Sequence, residues 1–221
     1  MMSLEGKHII VTAGPTIEPL DPVRFISNHS SGKMGYALAG ELARRGAAVS
    51  LISGHTSLEC PKGCVRTDVL TADDMYRAVM EQFADADGAV MCAAVADYTP
   101  VSTSTTKIKK SDDEITIRLR KTKDIAAEAG RIKGNKLLVG FALETDNESS
   151  NARSKLHRKN LDFIVLNSLR DAGAGFAGDT NKITIMYPNP DNDREYPLDS
   201  KLNIAKHIAD HIEQWFSSHT N

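Results

Sequence analysis

Residues 27–35 read SNHSSGKMG, and a Gly-Lys pair at the mouth of a helix is half of a loop that grips nucleotide phosphates. The complete loop needs a glycine five residues earlier and a hydroxyl directly after the lysine. Residues 25–28 supply no such glycine, and Met34 stands in place of the hydroxyl. What remains is Ser30, Ser31 and Gly32 leading into MGYALAGELARRGA, where Met34, Ala37, Leu38, Leu42 and Ala43 recur at helical spacing. Free N–H groups at a helix start attract anions, and small side chains let them approach. The segment therefore reads as one half of an anion cradle whose other half is the Ala13-Gly14-Pro15-Thr16 loop, with Gly14 allowing close approach. In this reading Lys33 points away from the phosphates.

The elements that must position these residues follow from hydrophobic pattern. Strands are expected at 7–13, 47–53, 88–94, 136–142, 162–167 and 182–187. Helices are expected from about Ser31, at 71–84, 124–132 and 147–159, and over 199–216. Such alternation predicts an α/β fold, a mostly parallel sheet flanked by helices on both faces. Ligands of these folds bind beyond the carboxyl ends of the strands. The loops after Ala13, Ala94, Ala142 and Asn167 thus belong to one surface. Residues 97–114 are polar and hold Lys107, Lys109 and Lys110, which suits either a solvated loop or a mobile cover over an anion.

The chain of 221 residues is long enough for one domain with a substantial core, taken as 6–221, with 1–5 read as a flexible or vector-derived terminus. A net charge of −2, from 27 basic and 29 acidic residues, gives no electrostatic case for nucleic acid or a membrane surface. Neither a spanning segment nor a secretory signal is legible, so the expected location is the cytoplasm. Cys60, Cys64 and Cys92 make no disulfide framework. Even with His55 nearby, Cys60 and Cys64 lack a second ligand pair at metal-binding spacing, and no metal-ligating residues are assigned.

A dinucleotide site would need G-x-G-x-x-G and an acid ending the second strand. The chain has Gly14-Pro15-Thr16 and Ser53-Gly54 instead, which counts against hydride transfer, although an NAD(P)-binding regulatory protein of Rossmann-like fold stays as the alternative. The runs TAGPTIEPLDPVRFISNHSSGKMG, CAAVADY, KIKK, GFALET and K-x-x-x-K-N-L-D, in this order from about Gly6 to Tyr187, resemble the phosphopantothenoylcysteine synthetases of coenzyme A biosynthesis. The resemblance implies a modified Rossmann-like fold, a homodimer, and ligation of 4′-phosphopantothenate to cysteine through an acyl-cytidylate, with CTP as co-substrate and Mg2+ as cofactor. It also implies a flavin-dependent decarboxylase as a separate or severed partner.

The same resemblance assigns residues. Asn28 is the expected catalytic amide, donating to the oxyanion as cysteine attacks, and Arg24 accompanies the acyl intermediate. Lys107 is the active-site lysine. The nucleotide-binding set is Gly14, Ser30, Ser31, Gly32, Ala93, Ala94, Asp97, Lys107, Phe141, Lys155 and Lys159. Taken without the family, Asn28 suits a turn before a helix, Asp97 a loop cap, and Lys155 with Lys159 a solvated helix face. One departure stands out. Thr122-Lys123-Asp124-Ile125 occupies the place where many bacterial relatives carry Asn-Pro-Asp-Ile, leaving ATP as the competitor of CTP if the Asn side chain reads the base.

Overall fold

The computed structural model describes residues 3–109, 114–144, 146–168 and 178–219. In chain order the elements are β1 (His8–Ala13), β2 (Ile17–Pro19), β3 (Phe25–Ser27), α1 (Lys33–Arg44), β4 (Ala48–Ser53), β5 (Cys64–Asp68), α2 (Ala72–Phe83) and β6 (Gly88–Met91). They continue with β7 (Tyr98–Pro100), β8 (Leu119–Lys121), α3 (Ile125–Ile132), β9 (Leu137–Glu144), α4 (Glu148–Arg158), β10 (Phe163–Ser168), β11 (Thr180–Met186), β12 (Arg194–Ser200) and α5 (Lys201–His219).

Eight strands form one sheet in the order β12-β11-β10-β9-β6-β1-β4-β5, and the six from β10 to β5 run parallel. Alternation along β1 divides the core. Ile9 and Val11 join Leu38 and Leu42 of α1 and Ile208 and Ile212 of α5 on one face. Ile10 joins Met75 and Val79 of α2, Ala129 of α3 and Leu156 of α4 on the other. The central strands are apolar on both faces because both are covered. Chain direction across the sheet reverses between β1 and β6, so the crevice for a ligand opens above the carboxyl ends of these two strands.

The parallel sheet and flanking helices match the reading of the sequence, with differences at the edges. β5 and β12 escape pattern reading because they are edge strands: Val65 lies mostly in solvent, and β12 carries Pro197 among polar residues. The β2–β3 hairpin and the β7–β8 ribbon have three residues per strand, too few to show a period. The packed unit begins earlier than residue 6. Leu4 is fully buried and its N–H donates to the Arg45 carbonyl, so the expected loose terminus over 1–5 is corrected from Leu4 onward.

Candidate active site

Two adjoining cavities lie above the carboxyl ends of the strands, and Ala93, Ala94 and Phe141 line both. The smaller, of about 170 Å³, is walled on one side by Ser30, Ser31, Gly32 and Lys33 at the start of α1. Gly32 is the N-cap residue with φ 79°, and a Cβ there would come within 3.3 Å of the Gly14 Cα. Gly32 brings no side-chain cap, so the first-turn N–H groups of α1 keep their capacity to meet an anion. Gly14 does not line the cavity; it backs the wall that Gly32 forms.

Lys33 is the first helical residue and lines this cavity, paired with Asp179 at 2.6 Å. That corrects the expectation that it points away, since the helix begins two residues later than the pattern indicated. A second cation was not foreseen. Lys201 opens α5 and is buried in the same wall, and burial together with neighbouring Lys33 pulls its pKa below the ordinary lysine value. Asn181 and Asn167 complete the far side, and among the described residues nothing donates to the buried Oδ1 of Asn167. Asn167 ends a recognised strand, so its place on the ligand surface was legible; Lys201 and Asn181 carried no local signal. Cys92 also lines the cavity, but burial pushes its thiol up to about 12 and leaves it protonated, unsuited to act as a nucleophile.

The larger cavity, of about 540 Å³, gathers Asp97, residues 121–126, Phe141, Lys155 and Lys159. Lys155 donates to Glu144 at 2.6 Å and Lys159 to Asp124 at 2.9 Å. Burial raises the Asp124 pKa, but Lys159 and the Ala127 N–H outweigh it and hold the carboxyl below its ordinary value. Asp124 thereby caps α3 and orients a cavity lysine with the same oxygen. The departure at 122–125 is explained by where its side chains go. Thr122 Oγ1 donates to the Ala96 carbonyl at 2.7 Å, while Lys123 reaches Asp73 at 3.0 Å and lies over the Tyr76 ring at 4.3 Å. The polar atoms of both side chains are thus already paired within the protein.

The shared wall is held by the first loop. Ala93 donates its N–H to Thr12 Oγ1, Ala94 to the Gly14 carbonyl and Ala96 to Thr16 Oγ1. Asn28 Nδ2 donates to the Ala94 carbonyl at 3.0 Å, which fixes its amide at the junction although it lines neither cavity. Arg24 and Lys107 are not brought into either cavity of this chain. Arg24 binds Asp21 and the Ile108 carbonyl, and Lys107 is exposed. Their face also exposes Val23, Phe25, Tyr98, Val101, Ile115 and Leu119 along the β2–β3 and β7–β8 ribbons. The expected cover over 97–114 has few apolar anchors, but polar bonds tie it down: Ser104 N–H to Leu20, Thr103 Oγ1 to Pro19, and Ile108 to Asp21 and Arg24. Lys110 lies outside the described residues.

The family model for the DNA/pantothenate metabolism flavoprotein C-terminal domain matches residues 4–216. Among sequence relatives, a cysteine/cysteine sulfinic acid decarboxylase of an unknown prokaryotic organism is 52% identical over 93% of this chain and 57% of that protein. The coenzyme A biosynthesis bifunctional protein CoaBC of Bacillus subtilis (strain 168) is 47% identical over 95% of this chain and 52% of its own length. The chain thus spans about half the length of these curated relatives. The crystal structure of a CoaBC C-terminal domain superposes with a TM-score of 0.84 at 37% identity, covering 99% of this chain and 100% of that one. A Cab2 variant in complex with phosphopantothenate-cysteine shares the fold, with a TM-score of 0.76 at 17% identity over 96% of this chain and 88% of that one.

Proposed function

Because this chain belongs to the DNA/pantothenate metabolism flavoprotein C-terminal domain family, we propose that it joins 4′-phosphopantothenate to cysteine at the expense of CTP. The observation that carries this reading is the pair of cavities meeting at the Ala93-Ala94 wall, one suited to phosphates and the other to a nucleoside. A carboxylate cannot lose oxide at neutral pH, so it must first acquire a leaving group. Its oxygen attacks the α-phosphorus of CTP, the bond to pyrophosphate breaks, and an acyl-cytidylate forms. The cysteine amine then attacks the acyl carbon, CMP leaves, and an amide remains.

Each step has a place in the site. The nucleoside occupies the larger cavity against Phe141, between Asp97 and the backbone of 122–124, with Lys155 and Lys159 beside it. Because the polar atoms of the Thr122 and Lys123 side chains are paired within the protein, base reading does not need the Asn-Pro pair of relatives, and CTP is retained over ATP. The phosphates extend to Ser30, Ser31 and Gly32, where backbone N–H groups, Lys33 and Lys201 offset their charge. Small side chains at Ala93 and Ala94 let the acyl group lie against the strand end. Asn28, held on Ala94, presents its amide to the oxyanion. Mg2+ would be held mainly by the triphosphate and water, and would supply charge neutralisation there.

The protein acts as a homodimer through the ribbon face. Two features support this: the cluster of exposed apolar side chains, and the position of Arg24 and Lys107 on that face outside the cavities of their own chain. The soluble setting is the cytoplasm, and no helix among the described residues is long and apolar enough to cross a membrane. The deciding experiment incubates the protein with 4′-phosphopantothenate, cysteine, Mg2+ and either CTP or ATP, and follows pyrophosphate, CMP and the amide product. Amide formation with CTP is expected. Release of carbon dioxide from cysteine without nucleotide consumption would instead favour the activity named for the decarboxylase relative.

A further inference from the structure

Asp21 has no assigned part in the reaction, yet its carboxylate accepts five hydrogen bonds. It is completely buried, while its partner Arg24 is 44% exposed. One oxygen accepts the N–H groups of Val23 and Arg24, each at 2.8 Å. The other accepts Arg24 Nε at 3.0 Å, Arg24 Nη2 at 2.6 Å and the Ile108 N–H at 3.1 Å. Arg24 Nη2 also donates to the Ile108 carbonyl at 2.9 Å. Both backbone groups of Ile108 are thus engaged by one ion pair from a hairpin more than eighty positions earlier in the sequence.

We propose that Asp21 is a positioning residue that latches the lysine loop to Arg24, so that Lys107 and Arg24 are presented to the reaction as one preassembled unit. This deepens the ligase reading and rests on it for the roles of Arg24 and Lys107. The physical argument is one of entropy. Residues 101–109 bury almost no apolar surface that could fix their backbone, so polar bonds must do it. A bond to an ionised partner shielded from water is the strongest polar bond available. The adjacent peptide at Ile108 is the point of attachment, which leaves Lys107 exposed and its ammonium without a partner among the described residues. Arg24 is held by its fork on Asp21 and cannot wander from the loop it bridges.

The test has one arm that needs no activity. In Asp21→Asn the amide can still accept at one oxygen, but it sets a donor against Arg24 and the Ile108 N–H. Trypsin cleavage after Lys107 and Lys109, followed by mass spectrometry on the intact chain, should accelerate at least about tenfold, since cleavage follows local opening. Arg24→Lys keeps the charge but loses the planar fork and should accelerate the same cleavages; it serves if Asp21→Asn does not fold. In the second arm, pyrophosphate release is measured in Asp21→Asn, Lys107→Met and the double variant. Each single change should lower turnover, and Asp21→Asn in the Lys107→Met background should cost less than about twofold more. Unchanged cleavage rates in both variants, or penalties that multiply in the double variant, would overturn the latch. An inactive parent would refute the ligase reading while the cleavage arm still decides whether the latch exists.

Discussion

Gly35, in the first turn of α1, sets how closely the phosphate-facing end of that helix approaches β1. A Cβ at this position would sit 2.6 Å from Ala13 Cβ and 3.2 Å from both Ala13 Cα and the Thr12 carbonyl oxygen. These atoms belong to a central strand bonded on both sides, so the helix must move. Overpacking of this kind costs about 1–3 kcal/mol. Ala is a better helix former than Gly by about 0.8–1 kcal/mol, which offsets part of that. Gly35→Ala is therefore expected to destabilise by up to about 2 kcal/mol. At roughly 2–4 °C per kcal/mol for a chain of this size, Tm falls by up to about 8 °C. Because the same helix end carries Gly32 and Lys33, a shift of about 1 Å should also lower CTP-dependent turnover on the order of 10²-fold. Gly40 on the same helix is the control. Its Cβ would lie 3.3 Å from the Pro61 side chain, which sits on a loop able to give way, so Gly40→Ala should keep most of the helix-propensity gain and leave stability unchanged or raised by up to about 1 kcal/mol. Urea unfolding and pyrophosphate release measured on both variants decide the matter. A Gly35→Ala protein as stable and active as the parent would refute the claim that this contact fixes the cradle.

Asn28→Asp keeps the shape of the amide but cannot donate, so pyrophosphate formation should continue while amide formation slows about 10²-fold, and equal product formation would remove the oxyanion role. Lys33→Met and Lys201→Met each take a charge from the smaller cavity and should raise the KM for CTP; binding isotherms unaltered in both would place the phosphates elsewhere. Mixing Arg24→Ala subunits with Asn28→Asp subunits should recover part of the activity that neither has alone, and no recovery would argue against Arg24 acting across a dimer. The Arg44 guanidinium beside Glu41, opposed by burial and aided by Arg45, holds its carboxyl down at about 2, from an ordinary 4.5. A folded pKa below the unfolded one means stability that is complete above pH about 4.5 and lost as pH falls toward 2. Glu41→Gln should flatten that acid limb in urea titrations, and an unaltered limb would exclude it.

Local pattern determined the scaffold. Five of the six parallel strands, the antiparallel β11 and five helices were legible because each buried strand is a short apolar run and each amphipathic helix repeats at 3.6 residues, features of a few consecutive residues. Motif chemistry likewise placed residues 30–32 at a helix start and showed that the chain lacks both a Walker loop and a dinucleotide fingerprint. Ser30, Ser31, Gly32, Ala93, Ala94, Asp97, Phe141, Lys155 and Lys159 do line the two cavities. Only the tertiary structure decided the rest, since those contacts join residues far apart in the chain. Lys201 reaches the wall because α5 packs on α1, and the Lys123 ammonium is drawn to Asp73 and over the Tyr76 ring because α2 offers them. The separation of Arg24 and Lys107 from the cavities, and their joining through Asp21 and Ile108, depends on how two short ribbons meet. No spacing in one dimension records that geometry, because it is set by packing and by the need of a buried carboxylate for partners.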